Sequence, residues 1–502
     1  MRPLVQKPAL TIVLAFAACA GGEGGPVSNP DAPVIDAEVK TDGAAAAPHG
    51  LRAEYFALYS DLVLERIEPT VDRDWGTGEP NGDVGPDHFS VRWTGSVVAP
   101  TTGSYNLIVD SDDGVRVWLG AQRVIDDWHA HTVTRNQAQV QLTAGMAVPI
   151  RIDYFELDMA ASIRLSWSSG TIAEQVVPAE NLVPAAAASG LEAPKPPYTN
   201  PVIPFDCPDP GVITPQDTGG RDFAMVCTGG RFPIRLSRDL VIWHDSGVAL
   251  LPDGKAPWAA NGDRNWAPEI HKVGNQFVAY FASPNASNVM SVGAVYAPSV
   301  LGTWMNMAGP LSQYPTGDID PNFFEDDDGS RWLLYKLEPN STNPHTRIFL
   351  RRLNPDGLSF ADIPTEVLEN DATTWEQGVV EAPWLIKRDG MYYLFYSGSP
   401  FDNGYRTGVA RASVITGPYT KHGAPILADN ETWIWPGHGS VVHVGAFDYH
   451  VYHAWQNGGN GQPVPGTGRL VLVDRVFWEN GWPRINDGTP SHTPQPRPGE
   501  SE

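Results

Sequence analysis

The sequence predicts an all-β protein, a five-bladed β-propeller preceded by a β-sandwich, and three observations predict it. Glycine (50) and proline (46) are frequent, with 17 Trp, 16 Tyr and 17 Phe, a mixture that suits short strands and tight turns. No long window carries sustained helical periodicity with caps. Five aromatic-rich strands recur, beginning at Asp222, Gln276, Ser330, Met391 and Asp448, at intervals of 54, 54, 61 and 57 residues. A steady period of this size in an all-β segment is the mark of propeller blades of about four strands.

The elements divide the chain in order. Residues 1–19 read as an export signal, with Arg2 and Lys7 before a short apolar run and a lipobox-like end, Phe16-Ala17-Ala18-Cys19. That run is too short to span a bilayer. Lipidation of Cys19 would hold the protein at a membrane surface through a lipid anchor alone. Residues 20–48, rich in Gly, Ala, Pro and Asp, read as a flexible linker. Residues 49–183 contain alternating runs such as FSVRWTGSVVA and GSYNLIVDS, and predict an antiparallel sandwich, a candidate carbohydrate-binding module. A second linker covers 184–197, the propeller 198–486, and a Pro- and Ser-rich tail, expected to be disordered, 487–502.

The formal charge of −24 repels phosphate backbones, which argues against nucleic acid as a partner and leaves a neutral polysaccharide open. Beyond Cys19 the cysteines are Cys207 and Cys227, candidates for a bridge within the first blade of an exported protein. Their proximity is not given by the sequence.

In a propeller the first strand of each blade lines the central axis. Ten residues before the later aromatic strands stand Trp266, Asp320, Glu381 and His438; the first repeat has a longer turn and its counterpart is Asp209. An Asp before Pro is ordinarily turn chemistry, and a lone Glu at a strand start is ordinarily solvated. The common offset is what marks these residues. Glycoside hydrolysis needs two carboxyl groups on opposite sides of the scissile bond, one protonated and one ionised. A third carboxylate raises the pKa of the acid by like-charge repulsion. Trp266 offers a flat face to a sugar ring, and His438 a group to orient substrate or ligate an ion. The acidic run Glu325–Asp328 reads as a solvated turn.

Residues 198–486 resemble family 43 of the glycoside hydrolases, the arabinosidase and xylosidase propellers, in the stretches NPVIPFDCPDPGVI, NWAPEI, DIDPNFFEDDDG, VVEAPWLIKRDGMYYLFYSG, GVARASVITGPY and GHGSVV. The resemblance implies an inverting enzyme with Asp209 as general base, Glu381 as general acid and Asp320 as pKa modulator. It also implies substrate contacts from Arg469, in GTGRLVLVD, and calcium at His438 in some members. The substrate it implies is arabinose-containing plant cell-wall polysaccharide, with a β-D-xylosidase as the alternative. A non-catalytic polysaccharide-binding surface lipoprotein is the reading from another class, and a monomer is the default. Residues 49–183 resemble the protective-antigen-type sandwich in GLRAEYF, the run from Phe89 to Gly120, and RVIDDW. In lectin-like members an Asp pair binds calcium, which makes Asp112 and Asp113 candidates; no cofactor is expected to be required.

Overall fold

The computed structural model describes residues 49–499 apart from 219, 221 and 340–343. The expected signal peptide, Cys19 and the linker 20–48 lie outside the described residues. No helix among them is long and apolar enough to cross a membrane.

Alternating side chains in Phe89–Val98, Gly103–Asp112 and Ala147–Glu156 point to opposite faces of a strand. Phe89, Val91, Trp93, Tyr105, Leu107, Val109, Ile152 and Tyr154 are thereby buried in one apolar core. A seven-stranded and a five-stranded sheet enclose it. Buried charges inside are matched. Arg92 forks onto both oxygens of Asp153, at 2.7 and 2.9 Å, and Glu68 accepts from Tyr55, Arg66 and Trp93.

The second linker is not a free tether. The carbonyls of Ala185, Glu192 and Lys195 accept hydrogen bonds from Arg52, Arg92 and Trp128 of the sandwich, at 2.9, 2.7 and 2.9 Å. Composition suggested flexibility, but sandwich donors satisfy this backbone.

Among the described residues, five four-stranded antiparallel sheets follow, each made of consecutive strands. Their inner strands are Gly211–Ile213, Trp266–Val273, Asp318–Glu325, Val380–Arg388 and Trp433–Val444, in blades I to V. Each packs against the next, and the last returns to the first, which closes the ring. The aromatic repeats form the second strand of every blade, for example Gln276–Pro284 and Met391–Gly398, and fill the cores between blades. The Cys207–Cys227 disulfide is present, in blade I.

The tail is the clearest correction. Gln495 pairs with Tyr198 in a β-bridge. Arg497 is 3% exposed, pairs with Asp239 of blade I, donates to the Pro196 carbonyl and lies over the Tyr59 ring of the sandwich. Residues 487–499 are thus tied to the body. Pro and Ser lower the local propensity for structure, but one buried cation with a carboxylate partner fixes the segment.

Candidate active site

One residue in or beside each inner strand takes a left-handed backbone: Asp209 (φ 54°), Ala267 (44°), Asp320 (55°), Ala382 (55°) and His438 (43°). In blades II to V the pairing register breaks at the same place. Such bulges re-aim side chains, and they cluster beside active sites. The first four of these residues each precede a proline. The constant offset of ten residues therefore needs refinement. By backbone conformation Asp209 and Asp320 are equivalent to Ala267 and Ala382, whereas Trp266 and Glu381 stand one residue earlier.

All six expected residues nevertheless meet. Asp209, Trp266, Asp320, Glu381, His438 and Arg469 line one cavity of about 280 Å³, together with Thr228, Phe401 and Tyr405. Asp209 lies on the closing seam between blades I and V. Its carboxylate takes Arg469 at 3.0 Å and the Thr228 hydroxyl at 2.5 Å, with His438 Nδ1 at 3.2 Å. Its backbone N–H donates to His453 Nδ1 at 3.1 Å. Burial opposes ionisation of this carboxyl, but Arg469, His438 and His453 together outweigh it and hold the group well below the usual carboxylate range.

Glu381 accepts from Lys336 at 2.7 Å and from the Tyr405 hydroxyl at 2.9 Å. Asp320 accepts the N–H of Ala382, the residue after Glu381, at 3.0 Å. Burial, opposed by His438 and reinforced by the charge of Glu381, pushes Asp320 up to about 7. For Glu381 burial is overcome by Lys336 and Tyr405, and the shift is downward. The like-charge effect expected from the sequence is present, but in the free protein it falls on Asp320. The reason is Lys336, which contacts only one member of the pair. The two titrate together, and below about 7 they hold one proton between them.

Thr228, Lys336, Tyr405, His453 and Phe401 were not legible in advance. Thr228 follows Cys227, so a bridge from Cys207 to Cys227 was the one available signal that it lies near Asp209. Lys336 and His453 lie on second strands, away from the inner-strand motifs.

Both oxygens of Asp113 accept backbone N–H groups, from His131 at 2.8 Å and Leu157 at 2.9 Å. His438 Nδ1 faces Asp209. Among the described residues no group of three or more His, Cys, Asp or Glu side chains is set to hold a metal ion.

The model for a PA14 domain matches residues 48–181, and the model for glycosyl hydrolases family 43 matches residues 198–483. The chain is 29% identical over 287 residues to an extracellular exo-alpha-(1->5)-L-arabinofuranosidase of Streptomyces chartreusis, covering 53% of this chain and 84% of that protein. It is 25% identical over 320 residues to a xylan 1,3-beta-xylosidase of a Vibrio species, covering 58% of this chain and 57% of that protein. It is 37% identical over 137 residues to the anti-sigma-I factor RsgI3 of Acetivibrio thermocellus, covering 27% of this chain and 21% of that protein. Among solved structures, a thermostable family-43 glycoside hydrolase is 26% identical with a TM-score of 0.54, covering 61% of this chain and 100% of the other. The propeller, its blade order and a family match over more than half the chain agree: this chain belongs to family 43 of the glycosyl hydrolases.

Proposed function

We propose that the protein is an inverting glycoside hydrolase acting on arabinose-containing plant polysaccharide. The observation that carries this reading is the split ionisation of three carboxyls around one cavity. Asp209 is held ionised, while the Asp320–Glu381 pair keeps a proton to about 7. Environments that push neighbouring carboxyls apart are what assign acid and base.

On this reading Asp209 takes a proton from water as the water oxygen bonds to the anomeric carbon. The bond from that carbon to the leaving oxygen breaks, and the leaving oxygen takes a proton from Glu381. Asp320 shares that proton and holds the backbone beside Glu381. When the leaving oxygen enters beside Glu381 it weakens the Lys336 contact, and the pair's proton passes to Glu381. Arg469, Trp266 and His438 position the sugar. Every step falls on this chain's own side chains, and no step is routed through calcium.

Glu381→Gln should lower turnover by about 10²–10⁴-fold, the usual range for general acid assistance. Aryl glycosides with good leaving groups should lose much less than natural oligosaccharides. Equal losses on both would remove Glu381 from the acid role. The same assay separates the alternatives, because nitrophenyl arabinofuranoside, nitrophenyl xyloside or neither will be cleaved. The similarity to a xylan 1,3-beta-xylosidase keeps the xyloside in play, and cleavage of neither would favour a binding protein. The Streptomyces relative is named as extracellular, which supports export here. Lipidation of Cys19 completes that reading, and a Cys19→Ser protein that still partitions with membranes would refute it.

A further inference from the structure

The outer face of the sandwich's seven-stranded sheet carries its charges in two cross-strand rows. They cross the strands Phe89–Val98, Ala147–Glu156, Val115–Leu119 and Gln122–Asp127. One row runs Arg92, Asp153, Arg116, Asp126, so that cation and carboxylate alternate. The adjacent row runs Thr94, Arg151, Trp118, Arg123, and it holds two cations and no carboxylate. The first row does not make up the difference. Arg92 takes both oxygens of Asp153. Arg151 is left 3.6 Å from that carboxylate, and its buried Nε has no hydrogen-bond partner. Asp126 is divided between Arg116, at 2.8 Å, and Arg123, at 2.9 Å. Four arginines thus share two aspartates, in a chain whose formal charge is −24. Burial disfavours the charge on Arg151; Asp153 opposes this, while Arg92, Arg116 and Arg123 add to it.

The guanidinium groups are also held in place. Arg151 lies 3.5 Å over the Trp118 ring and Arg116 4.7 Å over the Trp128 ring. A guanidinium stacked on an indole keeps its edge donors available to a planar oxyanion.

We propose that the row of Arg151 and Arg123 binds the uronate carboxylates of an acidic polysaccharide. A carboxylate matches the guanidinium fork. The two arginines stand two strands apart, about 10 Å, so a single polymer presents a carboxylate to each. The chain as a whole repels such a polymer, and this face is where the repulsion is locally reversed. The choice of a polysaccharide rests on the glycosidase reading. The linker and Arg497 tie the sandwich to the propeller, so a polymer held here is kept at the molecule that carries the catalytic cavity.

The test uses the full chain and calorimetry at low and high salt. The probes are polygalacturonate, the same polymer methyl-esterified, and phosphatidylglycerol vesicles. Polygalacturonate should bind about tenfold or more tighter than its methyl ester, and added salt should shrink that preference. Arg123→Ala should weaken polygalacturonate about fivefold or more, and Arg123→Ala with Arg151→Gln further. The Arg123 side chain is 44% exposed, so its loss leaves the core intact. The unfolding midpoint and the turnover of a nitrophenyl glycoside should not change in Arg123→Ala. Equal binding of the polymer and its ester, or binding that neither variant weakens, overturns the proposal. Vesicles that bind as tightly as polygalacturonate overturn it in favour of an anionic lipid surface. Failure of the glycosidase reading looks different: nitrophenyl glycosides stay uncleaved, whatever polygalacturonate does.

Discussion

Asp209 sits among Arg469, His438, His453 and Thr228, and their combined effect is to keep it ionised far into acid. The Asp320–Glu381 pair behaves in the opposite way, because burial and mutual repulsion hold a proton that Lys336 partly opposes. The sign of the pH dependence follows. On the proposed mechanism activity needs Asp209 ionised and the pair protonated, so kcat/KM should be level between its limbs. It should fall about tenfold per pH unit above about 7 as the pair loses its proton. The acid limb should lie well below 3.8. Lys336 lowers the proton affinity of both members. Lys336→Met should therefore move the alkaline limb to higher pH. A limb that stays put or moves down would show that Lys336 does not govern the pair.

The inner strands present the site through five left-handed residues, and that backbone costs about 1–3 kcal/mol at each non-glycine position. Ala267 is 2% exposed at φ 44°, and its N–H is held by Thr228 at 2.7 Å. A β-branched residue is least tolerated there. Ala267→Val should destabilise the protein by about 2 kcal/mol or more, measured by denaturant unfolding. Blade I adds a second constraint, since the disulfide joins the segment carrying Asp209 to the strand end before Thr228. Cys207→Ser with Cys227→Ser should cost about 2–4 kcal/mol and lower turnover, because Thr228, the partner of Asp209 on this blade, loses its tie. At this scale much was legible. The aromatic strands and their period follow from residue identity, and so does the presence of Asp320 and Glu381 on inner strands and of Asp209 just before one. The bulges were not legible, because φ is not written in an Asp-Pro or Ala-Pro pair; the equivalence of Glu381 with Asp320 was consequently misplaced by one residue. Lys336 was hidden for another reason: its strand reads as blade core, and only the register turns its amine toward Glu381.

Across the molecule, the ring closes by contacts between the first and last blades, and Arg497 joins sandwich, linker and propeller at one buried point. Low-complexity composition concealed this, because a single cation outweighs the surrounding prolines. Arg497→Ala leaves Asp239, 5% exposed, without its cation, and should cost about 3–5 kcal/mol in thermal or denaturant unfolding. An unchanged unfolding midpoint would mean that the tail merely rests on the body. The proposed function depends on three acidic side chains converging from blades I, III and IV, with one ionised across from a pair that carries the proton. The most direct measurement is the anomeric form of the first product, followed by proton NMR as the unsubstituted enzyme cleaves an α-L-arabinofuranoside. The β-anomer should appear first, with the α-anomer growing in only by mutarotation. An α-anomer appearing first would contradict it, because the base and acid would then not stand on opposite sides with water between them.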